Sequence, residues 1–159
     1  MEISLHFDRD VTIEDEHIFG AAMLSPSKSC DLSTWQLTIN RDGILAQTIR
    51  VCQPPYKNQQ TVTLCQHVSE SDIQALYQIA MDVKFRHLKK WNSPADIGIA
   101  SCGSASTAIK ARLHNEISSV YFYDAGLLAY EGNDEAIRYL KLWHAISAHA
   151  PFVPFIDKR

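Results

Sequence analysis

The stretch from Trp35 to Val51 constrains the fold more than any other part of the chain, because it spells out an antiparallel β-hairpin. Trp35, Leu37 and Ile39 alternate with Gln36, Thr38 and Asn40, the period-two pattern of a strand with one buried face. Asn40-Arg41-Asp42-Gly43 then gathers residues that tolerate positive φ, with Asp42-Gly43 at the expected tip. Ile44, Thr48, Ile49 and Val51 bring β-branched residues to the return strand. The hairpin predicts an antiparallel sheet early in the chain and carries no chemistry of its own.

Other segments extend the sheet. Ile3, Leu5 and Phe7 alternate over Glu2–Phe7, a first short strand, and Ile18–Leu24 is apolar enough for another strand or a short helix. Ser25–Ser29 reads as a loop, and the polar Gln53–Gln60 with its two prolines reads as a connection. Thr61–Gln66 reads as a strand. Asp96–Ser101, with Ile97 and Ile99 alternating, opens a second sheet section after Pro94, and Cys102–Ser106 is a bend. Thr107–Leu113 and Ser119–Tyr123 flank His114–Ser118, which predicts a second hairpin with a longer loop. Gly126–Gly132 reads as a connection.

Two helices stand out. Ser69 is placed to cap the first, with Asp72 three residues on, and Ile73, Leu76, Tyr77, Ala80 and Val83 share one face. Asn133 caps the second, with Asp134 and Glu135 in its first turn, where the helix dipole favours anions. Ala136, Leu140, Trp143 and Ile146 form its apolar stripe, and Pro151 ends it. Strands, helix, hairpin and helix predict an α+β fold, a mainly antiparallel sheet of hairpins with two helices packed on one face.

The chain of 159 residues fits a single globular domain, 1–159, large enough to bury a core without staples. A net charge of -3 offers no basic field for a phosphate backbone, so nucleic acid is not an expected partner. The basic run Lys84–Lys90 reads as a solvated helix end. No apolar run is long enough to span a bilayer, and the N-terminus lacks the basic and apolar regions of a signal peptide. The four cysteines, Cys30, Cys52, Cys65 and Cys102, form no C-x-x-C pair and read as free thiols. A cytoplasmic location without membrane association is the expectation.

Residue patterns that carry chemistry are few. None of the seven histidines has a partner at i, i+4, and Glu14-Asp15-Glu16-His17 cannot wrap a single ion without unusual backbone, so no metal or cofactor is expected. Phosphate-binding, dinucleotide-binding and serine-hydrolase glycine motifs are absent. Asp8 and Asp10 share a strand face but form a weak acid/base pair, more in keeping with a turn. Cys102, in a turn of small residues, is the one candidate nucleophile. With His67 or His144 it defines the alternative reading, a small cysteine-dependent hydrolase or thiol enzyme.

Tyr121, Phe122 and Tyr123 are consecutive on a strand, so at least one ring must leave a singly covered core. Trp35 and Trp143 suit core positions. Trp91, beside Lys89 and Lys90, is either an exposed anchor for a protein partner or a lid over the helix end. One short, mildly acidic, hairpin-and-helix domain without a catalytic motif resembles, in general character, the bacterial immunity proteins that neutralise a cognate toxin. That resemblance implies a non-enzymatic protein-binding domain that occludes a toxin's active site, often by acidic residues facing a basic surface. The residues nominated for such contacts are Asp8, Asp10, Glu14, Asp15 and Glu16, with Tyr56 and Trp91 as anchors.

Overall fold

The segment His17–Leu24, whose pattern leaves strand and helix equally open, forms strand β1 at the heart of the sheet. Phe19, Gly20, Ala21 and Ala22 are all buried in succession. A strand covered on both faces loses the apolar–polar alternation that would mark it as one. These positions come from a computed structural model that describes residues 11–24, 34–53, 58–101 and 104–152. The Glu2–Phe7 strand and the Ser25–Ser29 loop expected from sequence lie outside the described residues.

The other strands are β2 (Trp35–Asn40), β3 (Ile44–Gln53), β4 (Asn58–His67), β5 (Trp91–Asn92), β6 (Ser106–Leu113) and β7 (Glu116–Tyr123). They form one sheet in the order β4-β3-β2-β1-β6-β7-β5. Every pairing is antiparallel except that of β5 with β7. Helices α1 (Glu70–Asp82), α2 (Ala125–Tyr130) and α3 (Asp134–Ser147) complete an α+β fold.

The opening hairpin forms as its residues dictate. Asn40 Oδ1 accepts from Ile44 N at 2.8 Å, Gly43 N donates to Asn40 O at 3.1 Å, and Gly43 takes φ +80°. A three-residue loop ending in a left-handed residue matches the twist of the flanking strands. Trp35, Leu37 and Ile39 enter the core, where Trp35 stacks on Trp143 of α3 with ring centres 5.3 Å apart. On the same face Phe122 meets Tyr139 of α3 at 4.3 Å, so α3 packs against strands on both sides of β1.

Several boundaries differ from the expectation. The second hairpin turns tightly through His114 and Asn115, both at positive φ (51° and 64°), so Glu116–Ser118 belong to β7 rather than to a loop. β4 starts at Asn58, inside the segment expected to be a connection. Pro94–Ile97 is a short 3-10 turn, not a strand, and Ile97 stays 45% exposed. There Ser93 Oγ accepts from Ala95 N while Asp96 accepts from Ser93 N, a capping box with Pro94 in its first turn.

The expected connection Gly126–Gly132 contains α2, started by Asp124 and ended by Gly132 at φ +81°. Gly132 N donates to Ala129 O and Asn133 N to Leu128 O, the paired bonds of a Schellman turn. The basic side chains of Lys84–Lys90 are solvated as expected, but the run lies beyond the end of the helix. α1 stops at Asp82, and Phe85 and Leu88 sink into the core between the charged residues.

Candidate functional site

Strand β5 exists because the backbone of Lys90–Asn92 is claimed by β7. Tyr121 N donates to Lys90 O at 2.8 Å, and the Asn92 side-chain Nδ2 donates to Lys89 O at 2.7 Å and Tyr121 O at 3.2 Å. This register sets Trp91 beside Tyr121 on the face opposite the helices. The two rings stack 4.2 Å apart at 11°, yet Trp91 remains 53% exposed. Lys90 Nζ lies 5.8 Å from the indole centre, within cation–π range. Trp91 therefore does not close over the helix end; it forms an aromatic shelf at the sheet edge.

The shelf borders a cleft of about 330 Å³ whose walls include Asn92, Ser93, Asp96, Ser106 and Tyr123. Asp96 is the acidic group in that wall. A hydrogen bond from Lys89 (3.2 Å), then one from the Ser93 backbone, hold its carboxyl below the usual carboxylate range. The cleft thus offers a stacked indole, polar hydroxyls and a carboxylate held by Lys89 and the Ser93 backbone.

Glu14, Asp15 and Glu16 form a turn before β1, with His17 N donating to Glu14 O and Glu14 N donating to His17 Nδ1. All three side chains are exposed. The carbonyls of the turn are held instead: Arg112 donates to Glu14 O and His17 O, and Arg41 to Asp15 O. Just before the turn, Val11 and Ile13 lie against Gly20, whose α-carbon faces away from the helices. Val11 is buried in a small cluster with Ala22, Ala108 and Tyr121.

Tyr121 accordingly joins the two nominated regions. It supports Trp91 by stacking and shares a cluster with the segment leading to the acidic turn. Tyr121 is not among the contact residues expected from sequence, although the consecutive rings of Tyr121–Tyr123 hold the signal: Phe122 enters the main core and Tyr121 takes the other face. Asp8, Asp10 and Tyr56, also nominated, lie outside the described residues.

Cys102 lies outside the described residues as well. Its flanks are anchored: Ser101 and Ser104 donate to Asp124 Oδ2 at 2.6 and 2.7 Å, and Asp124 Oδ1 accepts from Leu127 N to start α2. Burial works against ionisation of Asp124, but these bonds outweigh it and hold the carboxyl below its ordinary value. His67 and His144 are both exposed, on β4 and α3. Among the described residues no group of three or more His, Cys, Asp or Glu is arranged to hold a metal ion. No helix among them is long and apolar enough to cross a membrane. No protein-family model matches the chain, and no curated protein matches it.

Proposed function

We propose that the chain is a non-enzymatic protein-binding domain, an immunity-type inhibitor that occludes the active site of a cognate bacterial toxin. The observation that carries this reading is the Trp91–Tyr121 stack: a large indole, half in solvent, yet restrained by a ring face and a strand register. An anchor ordered before docking loses little freedom on binding, and Trp and Tyr dominate interface hot spots. The exposed carboxylates of Glu14, Asp15 and Glu16 add the charge that would steer a basic active-site surface.

The test is co-expression with the products of neighbouring genes. The expected result is a neighbour that arrests growth alone, is relieved by this chain, and is not relieved by the Trp91→Glu variant. Trp91→Ala should weaken the purified complex by about 2 kcal/mol, roughly thirtyfold. Ile137→Ala, at an exposed position on α3, should leave it unchanged. Relief of toxicity that survives Trp91→Glu would overturn the placement of the interface; failure of every neighbour to bind would overturn the inhibitor reading.

A further inference from the structure

At the end of the sheet away from Trp91, α1, the β2–β3 turn, the β6–β7 turn and the start of β1 surround a second cleft of about 320 Å³. It is lined by Ile18, Arg41, Ile73, Gln74, Tyr77, Arg112, His114 and Asn115. Six of these eight bear N–H or O–H donors and none is Asp or Glu, in a chain whose net charge is -3.

The two guanidiniums are fixed without being neutralised. Arg112 donates through Nε to His17 O (3.1 Å) and Nη2 to Glu14 O (3.1 Å), and Arg41 Nε donates to Asp15 O (3.4 Å). All three acceptors are carbonyls of one turn, so both side chains are drawn to the same place. Neither arginine forms an ion pair with a carboxylate among the described residues. Across the cleft, Tyr77 Oη lies 3.4 Å from the His114 ring nitrogens, with the two rings edge to face. Ile18 and Ile73 give the cleft an apolar side. The carboxylates of Glu14, Asp15 and Glu16 belong to the same turn but are exposed, and Glu16 reaches His17 at 3.8 Å.

We propose that this cleft binds a small soluble phosphate monoester, the phosphate held between Arg41 and Arg112 and the organic group against Ile18, Ile73 and Tyr77. Planar guanidinium forks pair with phosphate oxygens through two parallel bonds, which a single ammonium cannot do. Gln74, Tyr77 and His114 supply further donors to the remaining oxygens. The site is separate from the Trp91 shelf and does not depend on the inhibitor reading.

Titration calorimetry of the full chain at low ionic strength, with phenyl phosphate as probe and benzoate as the carboxylate comparison, tests the proposal. Phenyl phosphate should bind, more tightly than benzoate, and weaken with added salt. Arg41→Gln, at an exposed side chain, should weaken it by about tenfold or more, as loss of a charge-assisted pair requires. Arg112→Lys should also weaken it, while Ile137→Ala, exposed on α3 and outside the lining of this cleft, should leave it within about twofold. Amide shifts of Tyr77 and His114 on titration give an independent readout. Absence of phenyl phosphate binding at millimolar concentration, equal binding of benzoate, or full binding by a folded Arg41→Gln chain would each overturn it.

Discussion

Gln47 spends both ends of its side-chain amide on the backbone of Phe152. Its Nε2 donates to Phe152 O at 2.7 Å, and Phe152 N donates to its Oε1 at 2.9 Å. The side chain is fully buried, 105 residues away in sequence, on the core face of β3. An amide is the group that can both give and accept in this position, because it presents one donor and one acceptor side by side as a neighbouring strand would.

Gln47→Leu is therefore expected to destabilise the chain by about 2 kcal/mol despite adding apolar surface. Urea unfolding measures the loss, and faster amide exchange at Phe152 locates it. Gln47→Glu should be worse at neutral pH, since a carboxylate would face the Phe152 carbonyl without a donor.

Tyr139 is completely buried and donates to Thr107 Oγ1 at 2.9 Å. Burial pushes its phenol well above the ordinary value of 10.0, and the neighbouring Thr107 hydroxyl, which can donate to a phenolate, opposes this only in part. Below that value the phenol is neutral in both folded and unfolded chains and adds no pH dependence. Above it the unfolded chain ionises first while the folded one keeps its proton, so stability falls as pH rises. Alkaline unfolding followed from pH 9 to 12 should show this decline above about pH 10. Tyr139→Phe should remove that part of the slope at a cost of about 1 kcal/mol at neutral pH.

Asp124 has the opposite dependence. Its carboxyl, held below the ordinary 3.8 by Ser101, Ser104 and Leu127 against the effect of burial, stabilises the fold fully above that value. That contribution is lost as pH falls through the lowered folded value. Asp124→Asn, which also tolerates the left-handed backbone at φ 53°, should flatten the acid limb of the stability profile below about pH 4. Asp124→Ala, lacking both the cap and that tolerance, should cost about 2 kcal/mol at neutral pH.

Gly20 carries a packing requirement. A β-carbon there would stand 2.6 Å from Ile13 Cγ2 and 3.0 Å from Val11 Cγ1. Gly20→Val is expected to push residues 11–13 off the sheet at a cost of about 1–3 kcal/mol. Hydrogen exchange should show lost protection at residues 11–13 while β2 and β3 keep theirs; unchanged protection at Val11 would contradict the contact.

The local code was readable where one face of an element is wet and the other dry. Trp35, Leu37 and Ile39 betray their strand because Gln36, Thr38 and Asn40 face the other way, and the Ser69 and Asn133 caps betray their helices through single hydrogen bonds to Asp72 and Ala136. β1 was ambiguous because both of its faces are covered, and α2 was hidden by the glycines at its ends and its length of six residues. Ser93-Pro94-Ala95-Asp96 held a capping signature, but its proline reads equally well as a stop.

The Asn40–Gly43 turn, the two capped amphipathic helices and the α+β class were legible in the sequence, since the patterns that mark them lie within a few residues of one another. Tertiary structure alone decided that β1 joins β2 to β6, that Trp91 rests on Tyr121, and that Arg41 and Arg112 meet at one turn. Those relations span up to 98 residues and arise from burying apolar surface across the whole sheet, a force without direction that no local pattern encodes.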